Sequence, residues 1–136
     1  MLKNVLLLTV AVFCLGNSSC DLVSLGNQFN FNVPFQLSVN EIIQSADGKL
    51  KIAFMEVLRD SRCPEDVVCI TAGNAEILLG IDTGNAQMEI TLNTTDGTRE
   101  QSVNDWVIRL LELQPQTRSD RTIESGDYTV TLQVEH

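Results

Sequence analysis

The sequence of 136 residues holds one histidine, and it is the last residue. A Ser-His-Asp or Cys-His device needs an imidazole held in place, and a chain terminus is where order is least. Aromatic residues are also scarce, at 5%, and the two shortages together argue against an enzyme. Basic residues are few. Nine Lys+Arg face eighteen Asp+Glu, and the resulting charge of −9 excludes sequence-independent binding to phosphate backbones or anionic headgroups. Nucleic acid is therefore not an expected partner. No apolar run reaches the roughly 18 residues of a spanning helix. There is no internal repeat, no low-complexity tract and no sign of a second domain. At 43% apolar the chain is nevertheless too hydrophobic for wholesale disorder.

What is present begins at the N-terminus. Lys3 gives a short positive start, residues 5–15 are almost uninterruptedly apolar, and Gly16, Asn17, Ser18 and Ser19 are small or polar. This is the layout of a secretory signal peptide. As a helix the eleven-residue run would rise about 16 Å, half of a hydrocarbon core. A permanent transmembrane anchor is disfavoured, and the competing reading is a buried N-terminal helix or strand. The stretch Asn17-Ser18-Ser19-Cys20 resembles the lipobox of bacterial lipoproteins, in which the cysteine after the cleavage point is acylated and becomes the mature N-terminus. That resemblance implies residues 1–19 as a lipoprotein signal peptide, Cys20 as the lipid attachment site and the membrane as a partner. The alternative is cleavage after Ser18, with Gly16 three positions back, and a soluble exported product.

Cysteine parity bears on the choice. Cys14 lies inside the apolar run and leaves with the signal, so Cys20, Cys63 and Cys69 remain. An odd thiol in an oxidising compartment pairs between molecules. If Cys20 carries lipid, an even pair is left.

Residues 21–33 contain three asparagines and no sustained periodicity, and with Cys20 they read as a tether over residues 20–33, at most about 45 Å long. The alternation of Phe29, Phe31 and Val33 at its end also fits a first edge strand. From Pro34 to residue 136 the sequence alternates with period two between turn signals. Phe35, Leu37 and Val39 share a face, with Ile42 and Ile43 continuing or following. Leu50, Ile52 and Phe54 come after the turn at Asp47-Gly48. Ala75, Ile77, Leu79 and Ile81 precede the turn at Gly84, with Met88, Ile90 and Leu92 beyond it. Trp106, Ile108 and Leu110 stop near Pro115, and Tyr128, Val130, Leu132 and Val134 close the chain. The expectation is an all-β domain over residues 34–136, an antiparallel β-sandwich or flattened barrel of six to seven strands.

Between two of those strands lie Cys63 and Cys69. In an exported chain such a pair is most simply a disulfide, worth about 2.4 kcal/mol in the chain-entropy model. Around it stand Asp60-Ser61-Arg62-Cys63-Pro64, Val67, Cys69-Ile70 and Ala72-Gly73-Asn74-Ala75, with a later Leu113-Gln114-Pro115 and a final Tyr128-Thr129-Val130-Thr131-Leu132. This set resembles a group of small uncharacterised bacterial envelope lipoproteins, over residues 35–134. The resemblance implies a lipid-anchored all-β domain and no reaction.

Sharper chemistry has less support. Cys63 and Cys69 as a thiol redox pair are wider apart than the two-residue spacing at a helix start that lowers a thiol pKa. As soft-metal ligands they could recruit Met55 or Met88, but the second histidine or further cysteine such a site needs is lacking. The acidic pairs Glu65 with Asp66, and Asp82 near Asp96, lack calcium-loop spacing. No metal and no cofactor is expected. Arg59, Asp60, Arg62, Glu65 and Asp66 form a charged cluster on the disulfide loop, either a rigid recognition surface or an internal salt-bridged turn. The functional expectation is a non-enzymatic, lipid-anchored domain of the bacterial envelope with a binding or structural role, meeting an envelope protein. The alternative is a proteinaceous inhibitor of an envelope-targeting hydrolase such as lysozyme, since a small acidic chain suits a basic enzyme. A thiol redox or soft-metal-binding role stands behind both.

Overall fold

The structure, a computed structural model, describes residues 27–95 and 97–136. Among these residues nine strands make two sheets: β1 (Gln28–Phe29), β2 (Phe35–Ser38), β3 (Ile42–Ser45), β4 (Lys51–Asp60), β5 (Ala75–Asp82), β6 (Gln87–Asn93), β7 (Glu100–Val103), β8 (Trp106–Gln114) and β9 (Thr129–Glu135). One sheet has the order β1-β3-β4-β5-β6 and the other β2-β9-β8-β7. Every pairing is antiparallel except β1 with β3. The fold is the all-β sandwich that the alternation predicts.

Period two explains the core. In β5, Ala75, Ile77, Leu79 and Ile81 are buried while the residues between them are half-exposed, and β9 buries Val130, Leu132 and Val134 in the same way. These side chains join Ile52, Phe54, Ile90, Leu92, Ile108 and Leu110 in one hydrophobic cluster between the sheets. Each large aliphatic residue so buried contributes about 1.5–3 kcal/mol. The chain changes sheets between β2 and β3, where Asn40 takes the left-handed conformation (φ 68°) and its N–H donates to the Phe54 carbonyl at 2.7 Å. Asparagine tolerates that backbone better than most side chains.

Two expectations need correction. Among the described residues the strands number nine: β1 falls where the alternation of Phe29, Phe31 and Val33 allowed an edge strand, and β7 escapes a periodicity reading because it buries only Val103 of its four residues. Of the residues 20–33 expected to form a tether, residues 27–33 belong to the fold. Phe29 is 2% exposed, its ring stacks on Phe35 at 4.5 Å, and the Asn32 N–H donates to the Val134 carbonyl at 2.7 Å. Apolar area on Phe29 and Phe31 outweighs the local asparagine content. Residues 1–19, Cys20 and the rest of the tether up to residue 26 lie outside the described residues. Among the described residues no helix is long and apolar enough to cross a membrane.

Candidate functional site at the disulfide loop

Strand β4 delivers the chain to the loop with an altered register. Irregularities between Phe54 and Glu56, and between Val57 and Arg59, break the simple alternation, so Asp60 pairs with the buried Ala75 at the end of the sheet. Arg59 remains outside and reaches across to Glu76, Nη2 to Oε2 at 2.7 Å. With the arginine side chain 80% exposed, that pair is worth little.

Asp60 turns inward and meets Arg62. Arg62 Nε donates to Asp60 Oδ1 at 2.8 Å and Nη2 to Oδ2 at 2.7 Å, a bidentate pair whose side chains are 10% and 9% exposed. Two further guanidinium N–H groups donate to the carbonyls of Leu113 (2.7 Å) and Pro115 (2.9 Å), and the Tyr128 hydroxyl donates to Asp60 Oδ2 at 3.0 Å. Burial alone would raise the Asp60 carboxyl; the hydrogen bonds and charge of Arg62, helped by Tyr128, outweigh it and hold the carboxyl below its usual value. Tyr128 moves the other way. Burial, and then its bond to the carboxylate, push its hydroxyl up to about 12.

Beyond Arg62 the loop is stitched along two seams. Across its own neck, the Ser61 N–H donates to the Asn74 carbonyl at 2.7 Å and the Cys63 N–H to the Ala72 carbonyl at 2.9 Å. Glycine is required at position 73: φ is 70°, and a Cβ there would sit 1.9 Å from the Ser61 carbonyl oxygen. Against the β8–β9 connection, the Glu65 N–H donates to the Thr117 carbonyl at 2.9 Å, Arg118 Nη1 to Glu65 Oε1 at 3.1 Å, and the Ser119 N–H to Asp66 Oδ1 at 2.8 Å, with the Ser119 hydroxyl on the other Asp66 oxygen. The Ser119 bonds hold the Asp66 carboxyl below its usual value. The Asp120 and Glu65 carboxylates raise the Arg118 guanidinium further above its ordinary range. Cys63 and Cys69 are joined by a disulfide, with Cα atoms 6.0 Å apart.

All five residues of the sequence-derived cluster thus bond within the chain. Asp60 and Arg62 come together, Glu65 and Asp66 face the β8–β9 connection, and Arg59 stands apart on the outer sheet face. Besides its polar residues, the loop turns three aliphatic side chains to solvent. Val67 is 43% exposed, while Val68 and Ile70 are fully exposed at 101% and 105%. Below the loop runs a groove of about 390 Å³ whose lining includes Arg62, Cys63, Gly73, Thr94, Arg99 and Leu111. Sequence reasoning missed Thr117, Arg118 and Ser119, and placed Tyr128 on a strand face and in the family motif without a partner in the loop region. No local signal identifies them, because their partners lie more than fifty residues away.

With both sulfurs in the disulfide, neither thiolate is free to hold a soft metal in this form, and Met55 and Met88 line a separate depression on the five-stranded sheet. Among the described residues no group of three or more His, Cys, Asp or Glu side chains is placed to hold a metal ion. His136 lies against the rings of Phe31 and Trp106, at 5.5 and 6.1 Å. Comparison with protein-family models, with curated proteins and with solved structures finds no match.

Proposed function

We propose that the chain is a lipid-anchored domain of a bacterial envelope that acts by binding, with the disulfide loop as its binding surface. The observation that carries this reading is the immobilisation of the loop. A 14-residue connection between β4 and β5 is tied by one disulfide, a buried charge pair and several hydrogen bonds to the opposite sheet and the connection leaving it. Loops of that length are ordinarily mobile, and fixing one lowers the entropy lost when a partner docks. The anchor rests on the leader and on Cys20. Several acyl chains on one cysteine, at about 0.8 kcal/mol per buried methylene, hold a protein on a membrane almost permanently.

The anchor is tested by Cys20→Ser with fractionation of the producing cells. The unchanged chain is expected with membranes and the variant free; equal membrane association of both refutes lipidation. A second reading, inhibition of a basic cell-wall hydrolase, is favoured by the charge of −9, which suits a basic enzyme as target. Residues 21–136 are mixed with lysozymes and the rate of wall lysis is followed. Absence of inhibition at micromolar domain removes that reading and leaves the first.

A further inference from the structure

We infer that Val67, Val68 and Ile70 form a preshaped wedge that seats in an apolar recess on a basic protein. The inference rests on the binding reading above and adds the contact surface and the chemistry of the partner. Single exposed aliphatic side chains are ordinary on protein surfaces. Here three of the four residues 67–70 are β-branched aliphatics, two of them fully exposed, and the fourth is a disulfide cysteine. Side chains so exposed contribute nothing to the core, yet an apolar tip promotes self-association unless something covers it.

The tip is also built to keep its shape. The disulfide closes it at Cys63 and Cys69, Asp66 and Glu65 fasten its base to Ser119 and Arg118, and the Val67 N–H donates to the Pro64 carbonyl. β-Branched side chains have few rotamers to lose. Little conformational entropy is therefore spent when the tip is buried against a partner.

Charge decides among occupants. The chain carries −9, and the segment between residues 63 and 72 has Glu65 and Asp66 but no lysine, arginine or aromatic residue. Tips that enter bilayers rely on aromatic and basic side chains at the headgroup level, and an anionic leaflet repels this protein. A second copy repels it as well. A basic protein is attracted, and its apolar recess supplies the surface that the aliphatic tip lacks.

The test places a photo-cross-linking amino acid at position 68 or 70 of the full chain in the producing cell, with position 91 on the outer face of β6 for comparison. The expected result is one protein adduct shared by 68 and 70, absent from 91, and basic by isoelectric focusing. With the cross-linker at 68, Ile70→Asp is expected to lower the adduct yield roughly 30-fold, the scale of a buried hot-spot residue. The thermal midpoint of residues 21–136 bearing that substitution should stay within about 2 °C, as for an exposed position. The same segment is not expected to sediment with phosphatidylcholine or phosphatidylglycerol vesicles. An adduct to lipid, vesicle binding that Val68→Asp abolishes, or an acidic protein partner each overturns the inference. Adducts from positions 42 or 55 but not from 68 and 70 overturn the wedge and leave the binding reading intact; adducts from no position overturn both.

Discussion

The β4–β5 and β5–β6 connections both join antiparallel neighbours of one sheet, and they are held in opposite ways. Residues 83–86 close the β5–β6 hairpin with bonds made on the spot: the Gly84 N–H donates to Asp82 Oδ1 at 2.8 Å and the Thr83 N–H to the Ala86 carbonyl at 3.0 Å. Residues 61–74 borrow partners from far away, namely the carbonyls of Leu113, Pro115 and Thr117 and the Ser119 amide. A local turn only reverses the chain. A loop held by distant groups couples the two sheets at one end of the sandwich, and its shape depends on single residues that no neighbour can replace.

Removing one half of the buried charge pair should break that coupling most severely. Asp60→Ala leaves the Arg62 guanidinium 10% exposed with two carbonyls and no counter-charge, and a cost of about 3–5 kcal/mol is expected in urea unfolding. Asp60→Leu combined with Arg62→Met should cost clearly less than the sum of the two single changes, because the stranded charge is then gone. Additive costs would show that the pair does not act as a unit.

Glycines set the two connections side by side. Gly73 and Gly84 both have positive φ, 70° and 80°, so an added Cβ meets the same backbone penalty of about 1–2 kcal/mol at each. Nothing lies within 4 Å of a Cβ on Gly84, whereas one on Gly73 collides with the Ser61 carbonyl. Gly73→Ala should therefore cost about 3 kcal/mol in total and Gly84→Ala only the backbone part. Equal midpoints in paired denaturant titrations would refute the close approach. Cys63→Ser with Cys69→Ser should follow at about 2.4 kcal/mol, with the loss confined to the loop end in hydrogen exchange.

The same contrast governs what could be read in advance. Strands β5 and β9 bury every second residue, so their faces are written in the order of side chains. Strand β8 buries Trp106, Ile108 and Leu110, then shifts register, which brings Leu113 inward and leaves Leu111 exposed; alternation predicts the strand but not the shift. Strand β7 is polar at Glu100, Gln101 and Ser102, and only its pairing with β8 around the Asn104-Asp105 turn makes it a strand. At the loop, the spacing of Cys63 and Cys69 announces the disulfide, because a short closed ring is a local property. The lock on Asp60 is silent in the sequence, since Arg62 is adjacent but Leu113, Pro115 and Tyr128 are brought there by the sandwich itself.

The smallest effect tests the outermost member of that lock. Tyr128→Phe removes one hydrogen bond to Asp60 and keeps the ring, which is 8% exposed, so a loss of about 1–1.5 kcal/mol is expected near neutrality. Its pH dependence identifies the cause. The hydroxyl has an ordinary value of 10.0 and is pushed up to about 12 in the fold, so the folded chain keeps a proton that the unfolded chain releases. Stability falls with pH wherever the folded state binds more protons. The contribution is complete below about pH 10 and is lost as pH rises toward about 12. Unfolding midpoints of the unchanged chain should decline across that interval, and those of Tyr128→Phe should decline less, so that the two curves converge. Parallel curves would mean that the hydroxyl is solvated and that Arg62 alone neutralises Asp60.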